Sequence, residues 1–133
     1  MKKLLSIVLI SILVLGLSTA TFAAQNEVSI TPRWTNTSLI TPDISKLANN
    51  YSAHIMGYTG TTKIECTMVL YEKGWFGSYT EVSRNNQTAN QSVKTFVASY
   101  TYTSGKTYKL EVTTVVTRNG TPETVTVSTE KKV

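Results

Sequence analysis

Apolar and polar residues alternate along most of the chain after residue 37. The longest regular alternation places apolar or small side chains at Tyr108, Leu110, Val112, Thr114 and Val116. A period of two is typical of a β-strand with one buried face. Threonine, valine, isoleucine and tyrosine, which favour strands, dominate these segments, and none of them has the period of an amphipathic helix. The pattern predicts an all-β protein.

Turn residues divide this region into seven predicted strands, at about 40–44, 51–58, 62–73, 79–83, 93–102, 108–116 and 123–128. Asn119-Gly120 is the best-defined turn, because both residues tolerate the positive φ angles of a two-residue hairpin. Pro42 lacks an amide donor, which predicts a bent or edge first strand. The polar residues 85–91 are predicted to be a connection. Seven short strands in about 110 residues predict an antiparallel β-sandwich.

Tyr108 favours an immunoglobulin-like or fibronectin-like sandwich. In those folds a tyrosine near the start of the penultimate strand turns its hydroxyl back onto the backbone at the corner between the sheets. The sequence from Ser104 to Val112 has the required order of turn, tyrosine and alternating apolar residues. An ordinary core tyrosine is the alternative. The chain has no cysteine pair and no tryptophan in the third predicted strand, so antibody-type topology is not supported.

The first 23 residues have the organisation of a signal peptide. Lys2-Lys3 is followed by an apolar run over residues 4–17 and by small residues up to Ala24. The run of roughly 14 residues falls short of the ~20 that cross a bilayer, so removal is favoured over a retained anchor. Cleavage after Ala23 fits the small-residue rule better than cleavage after Ala24. We therefore expect a secreted, extracellular protein.

The predicted organisation is a signal peptide at 1–23, an extended segment at 24–36 and one sandwich domain at 37–133. The mature protein is expected to contain no membrane span. Loss of Lys2 and Lys3 reduces 13 basic residues to 11, against 8 acidic ones, a net charge of +3. The basic residues are dispersed, which argues against a nucleic-acid partner. Oligomeric state is left open, since edge strands can pair between chains.

Cys66 is the single cysteine of the chain. It shares the alternating apolar set of Ile64, Met68 and Leu70, which predicts an inert thiol on the inward face of a strand. An exposed thiol that pairs between molecules is the alternative.

The sequence offers little catalytic chemistry. His54 is the one histidine, and the predicted registers put it and Cys66 on different faces, so no thiol–imidazole pair is expected. The carboxylates are scattered singly, and metal-ligand spacing is lacking. We expect a protein that is not an enzyme and binds no metal or other cofactor. The alternative is a small secreted glycoside hydrolase, or a hydrolase inhibitor, whose carboxylates meet only in the folded chain.

Recognition is the remaining function class, and the aromatic segment Gly74-Trp75-Phe76-Gly77 with nearby Tyr79 is the candidate contact. Its rings either project from a hairpin and bind a partner, or fold back and close the end of the sandwich. The sequence thus predicts a non-enzymatic binding or surface-interaction module. Its partner is an unknown extracellular protein or glycan.

Three segments carry a resemblance to a known group. They are Ile-Thr-Pro-Arg-Trp-Thr-Asn at 30–36, Gly-Thr-Thr-Lys-Ile at 60–64, and Gly-Lys-Thr-Tyr-Lys-Leu at 105–110, together with Asn119-Gly120. They resemble small secreted immunoglobulin-like β-sandwich proteins of unknown function from Gram-positive bacteria. The resemblance implies secretion and this fold. Its motifs are turns and strands, so it implies no catalytic or binding residue.

Overall fold

The computed structural model describes residues 33–133. The predicted signal peptide and residues 24–32 of the predicted extended segment lie outside the described residues. Seven strands follow in order: β1 (Thr37–Ser45), β2 (Asn50–Gly57), β3 (Thr61–Lys73), β4 (Tyr79–Ala89), β5 (Val93–Ser99), β6 (Thr107–Arg118) and β7 (Thr121–Lys132). Within residues 33–133 no helix is long and apolar enough to cross a membrane.

The strands form two antiparallel sheets, one of order β1-β2-β5 and one of order β4-β3-β6-β7. The all-β prediction and the strand count are confirmed, and the arrangement is sandwich-like. Every second residue of β6, from Tyr108 to Val116, is buried. The corresponding residues of β3, from Ile64 to Leu70, face the same core. Strand alternation therefore builds the core, as expected for two sheets that bury one face each.

The fourth strand is longer than predicted. The sequence predicted a strand at 79–83 and a polar connection at 85–91, whereas β4 pairs with β3 as far as Ala89. Asn85 and Gln87 lie opposite Met68 and Cys66 and share their inward face. The Gln87 amide donates to the side chain of Asn85 and, at 2.9 Å, to the carbonyl of Val97 in β5. The Gln87 amide nitrogen and the Asn85 side-chain oxygen are hydrogen-bonded, and no buried side-chain nitrogen or oxygen among residues 33–133 lacks a partner, so a polar inner face is tolerated on this edge strand.

Two other strand ends also differ from prediction. β5 ends at Ser99 rather than at Tyr102, and β7 continues to Lys132 rather than ending at Ser128. β7 lengthens because its polar residues keep pairing with β6 up to Thr107. Backbone pairing, which side-chain polarity does not report, sets these ends.

The predicted turn and edge features are present. Asn119 and Gly120 have φ angles of 49° and 78°, as a two-residue hairpin requires. β1 pairs with β2 alone, so Pro42 lies in an edge strand, where its missing donor breaks no ladder.

Glu123 of β7 fastens the first described residues to the domain. Its carboxylate accepts hydrogen bonds from the amides of Thr35, Asn36 (2.8 Å) and Thr37 (3.0 Å), and from the Thr37 hydroxyl. The buried Asn36 amide group donates to the carbonyls of Val116 (2.9 Å) and Thr121 (2.8 Å). Partial burial alone would raise the pKa of Glu123, but the donated hydrogen bonds outweigh it and the pKa lies below its ordinary value.

We expect this carboxylate to make stability depend on acid pH. Its pKa is lower in the folded than in the unfolded chain, where it is about 4.3. Its contribution is therefore complete above that pH and is lost as pH falls through the folded pKa. Glu123→Gln should lower the free energy of unfolding at neutral pH by about 1–3 kcal/mol and flatten its acid dependence. Urea unfolding across the acid range measures both effects.

Glu65→Gln is the matched control. Glu65 forms an exposed ion pair with Lys63 at 3.1 Å, and such pairs contribute less than about 1 kcal/mol. An acid dependence of Glu123→Gln equal to that of the unsubstituted protein would contradict the role given to Glu123.

Candidate functional site

One end of the sandwich gathers three connections, and we call it the Trp75 end. It comprises the β1–β2 turn (46–49), the β3–β4 turn (74–78) and the β5–β6 loop (100–106). Lys46 of the first turn donates to the Ser104 hydroxyl, and the Tyr100 amide donates to the Asn49 carbonyl at 2.9 Å. A groove lies between the second turn and the same loop. The β5–β6 loop thus hydrogen-bonds to the β1–β2 turn and borders a groove with the β3–β4 turn.

Trp75 and Phe76 project from the β3–β4 turn into solvent. The Gly77 amide donates to the Gly74 carbonyl at 3.1 Å, the Gly74 amide donates to the Ser78 carbonyl at 2.7 Å, and Gly77 has a φ of 79°. This closed turn leaves the two aromatic residues at its tip. Trp75 is 95% and Phe76 101% exposed. Of the two alternatives drawn from the sequence, the structure shows projecting rings.

Tyr79 lies apart from this tip, on the outer face of the four-stranded sheet. The Lys109 ammonium lies 4.5 Å from the Tyr79 ring centroid and 4.8 Å from that of Tyr71. The Tyr79 hydroxyl donates to the Glu130 carboxylate. That hydrogen bond raises the pKa of Tyr79 and lowers the pKa of Glu130. Tyr79 is therefore engaged in a cation–π cluster next to the turn.

The groove beside Trp75 has a volume of about 320 Å³ and is open to solvent. Its lining residues are Lys73, Gly74, Trp75, Ser104, Gly105, Lys106 and Thr107. Lys73 lies 3.5 Å from the carboxylate of Glu130, and Lys106 lies 3.4 Å from that of Glu72. The groove thus combines one aromatic ring with hydroxyl and ammonium groups.

Leu47 belongs to this end and was missed by reasoning from the sequence. It lies in the β1–β2 turn and is 99% exposed. Ile40 and Ile44, the buried hydrophobic residues of β1, occupy even positions, so Leu47 is out of phase with them. A leucine just after a strand that does not continue the inward apolar period of that strand is the signal that could have identified Leu47 as exposed.

Cys66 lies in the core, whereas His54 lies on the outer face of the three-stranded sheet. Cys66 is 2% exposed within the sandwich core, where burial raises the pKa of its thiol to about 12. His54 lies in β2 between the buried Ala53 and Ile55, and its Nδ1 lies 2.8 Å from the Thr95 hydroxyl. The two side chains therefore form no catalytic pair.

We expect the thiol of Cys66 to be inert in the folded protein. At pH 8 a pKa of about 12 leaves roughly one thiolate in ten thousand, compared with about a quarter for an unfolded cysteine. Reaction with a chromogenic disulfide should therefore be slower than in urea by more than about a thousandfold. Equal rates in the folded and unfolded protein would contradict a core position.

Tyr108 is fully buried and joins the β5–β6 loop to β3. Its hydroxyl accepts from the Thr103 amide at 3.0 Å and donates to the Glu72 carboxylate at 3.1 Å. The hydroxyl thus bonds to a backbone group five residues upstream, in the β5–β6 loop. The rings of Tyr100, Tyr102 and Tyr108 meet edge to face, with centroids 5.0–5.8 Å apart. Tyr102 also donates to the Asn50 carbonyl at 2.8 Å.

Tyr108→Phe should lower the free energy of unfolding by about 1–2 kcal/mol, because the Thr103 amide loses its acceptor and Glu72 loses a donor. Chemical denaturation measures the change. Tyr71→Phe is the control, since the Tyr71 hydroxyl forms no hydrogen bond within residues 33–133. Equal stability of Tyr108→Phe and the unsubstituted protein would show that the corner bond is not stabilising.

Among residues 33–133, no three histidine, cysteine or acidic side chains lie together as a metal site would require. No family model and no curated protein matches the chain. Among solved structures, the chain is similar to the crystal structure of Parabacteroides merdae beta-glucuronidase (GUS), with a TM-score of 0.36 and 10% sequence identity. The match covers 72% of this chain but 13% of that protein. A likeness this distant identifies neither a family nor an activity.

Proposed function

We propose that the protein is a secreted, non-enzymatic binding module that contacts its partner through the Trp75–Phe76 tip. The observation that carries the proposal is the near-complete exposure of both rings on a closed turn. Large aromatic side chains are usually buried, and exposed apolar groups on loops commonly serve recognition. Export follows from the signal peptide predicted at residues 1–23, and the partner is an extracellular protein or glycan.

We also propose that the domain is of the fibronectin type within the immunoglobulin-like folds. The strand orders β1-β2-β5 and β4-β3-β6-β7 support this, because β4 pairs with β3 rather than with the sheet that holds β1. Tyr108, at the start of the penultimate strand, supports it as well, because its hydroxyl accepts a hydrogen bond from the Thr103 amide in the preceding loop. In such folds the loops at the sandwich ends serve as binding surfaces, which agrees with a contact at the Trp75 end.

The double variant Trp75→Ala/Phe76→Ala separates binding from folding. The two rings bury almost no surface, so the free energy of unfolding should change by less than about 0.5 kcal/mol. Retention of the producing cell's surface proteins or wall glycans by the immobilised domain should fall to background. Thermal unfolding and quantitative retention assays measure the two effects on the same preparations.

Leu39→Ala is the control for a general loss of apolar surface, since Leu39 is 42% exposed near the other end of the sandwich. It should retain as much material as the unsubstituted domain. Equal retention by the double variant, or none by the unsubstituted domain, would contradict the proposal.

A further inference from the structure

We propose that the Trp75 end docks on an anionic lipid bilayer and that Leu47, Trp75 and Phe76 enter its interfacial region. The inference rests on the proposed function, because it keeps the Trp75–Phe76 tip as the contact, but it replaces the protein or glycan partner with a lipid surface. It adds a second turn to the contact surface and gives the surrounding lysines a role.

The apolar part of the surface comes from two separate turns. Leu47, Trp75 and Phe76 are 99%, 95% and 101% exposed, and no other large apolar residue in the described part of the chain exceeds 48%. All three lie at the Trp75 end, in two turns that both adjoin the β5–β6 loop. Such protruding side chains gain most when they enter a soft apolar phase that needs no matching shape. Tryptophan is also enriched at the level of lipid headgroups.

The polar part of the surface is basic. Five lysines lie in the connections of this end or in the last two residues of the strands that meet there: Lys46, Lys73, Lys106, Lys131 and Lys132. Glu72 is the one carboxylate side chain in the same set, and Asp43, Glu81 and Glu130 lie one residue outside it. Glu72 pairs with Lys106, Glu130 with Lys73, and Glu81 with Arg84. The Lys131 ammonium bonds to a neutral carbonyl, that of Ile44, at 2.7 Å.

Lys46 and Lys132 form no ion pair with a carboxylate among residues 33–133. Lys46 directly precedes Leu47, and Lys73 is two residues before Trp75. Each turn that carries an apolar tip therefore has a lysine within two residues of that tip. A lysine can keep its charge at the headgroups while its neighbour enters the acyl boundary, and each lysine near an anionic surface strengthens binding.

The groove gives the headgroups a place next to the apolar tip. Lys73 and Lys106 lie on its two sides, with the hydroxyls of Ser104 and Thr107 in its lining. These groups suit a lipid phosphate that is held beside the Trp75 ring when the ring is inserted in the bilayer. The chemistry that distinguishes a bilayer from a sugar is Leu47, because a leucine has no aromatic face on which a sugar ring could stack.

Vesicle binding tests the inference. We expect the mature domain to sediment with vesicles of equimolar phosphatidylglycerol and phosphatidylcholine, and much less with phosphatidylcholine alone. Trp75→Ala/Phe76→Ala should weaken binding by more than about tenfold, and Leu47→Ala should weaken it to a smaller extent. Lys46→Gln and Lys132→Gln should each weaken binding to anionic vesicles about fivefold, and added salt should weaken this binding as well.

Fluorescence reports the depth of the tip. In Trp34→Phe, Trp75 is the single tryptophan of the chain. Anionic vesicles should shift its emission to shorter wavelength and protect it from iodide. Sedimentation of the unsubstituted domain needs no change at Trp34, so the test survives if that variant does not fold. Leu39→Ala and Tyr58→Ser, at exposed positions near the opposite end, should leave binding unchanged.

Three outcomes would overturn the inference. No vesicle binding, with retention of cell-surface protein or glycan that still depends on Trp75 and Phe76, would leave the proposed function standing with a different partner. No vesicle binding, with a dimer that the Trp75→Ala/Phe76→Ala variant disperses, would make a second copy the occupant. Equal vesicle binding by that double variant and the unsubstituted domain would place the lipid contact elsewhere.

Discussion

The pairing of β3 with β6 is the interaction on which the rest of the structure depends. These strands are the two central members of the four-stranded sheet, and their inward residues supply much of the core. The chain has one cysteine, so no internal disulfide supports them. A slip of one residue between these strands would turn Met68 or Val112 toward solvent, which makes their register strongly determined. That register also sets Lys73 close to the β5–β6 loop, and so forms the groove beside Trp75.

The two ends of the sandwich are built in different ways. At one end, Glu123 and Asn36 hold the incoming chain with hydrogen bonds to backbone groups. At the Trp75 end, three tyrosine rings and the hydroxyl of Tyr108 hold the β5–β6 loop against the core. The exposed turns therefore project from a base that is packed and hydrogen-bonded. A contact surface with such a base loses little conformational entropy when it binds.

The sequence predicted those features that follow from side-chain period and turn chemistry. Alternation located β3 and β6, and Asn119-Gly120 located the last hairpin, because each signal is local. The full length of β4 could not be read in this way. Asn85 and Gln87 look like loop residues until the nearby edge of β5 supplies an acceptor for Gln87, and that proximity is a property of the packed sheets. The exposure of Trp75 and the position of Leu47 at the same end of the sandwich likewise depend on which turns share an end. The strand order decides that.

The hydrogen bond from Gln87 to the carbonyl of Val97 has a consequence for behaviour at high concentration. β5 is an edge strand, and the exposed valines at 93 and 97 make it a suitable template for an added strand from another molecule. For an incoming strand, one acceptor of β5, the Val97 carbonyl, is already occupied by the side-chain amide of Gln87. The polar residue that obscured β4 in the sequence thus helps to keep neighbouring molecules from joining their sheets.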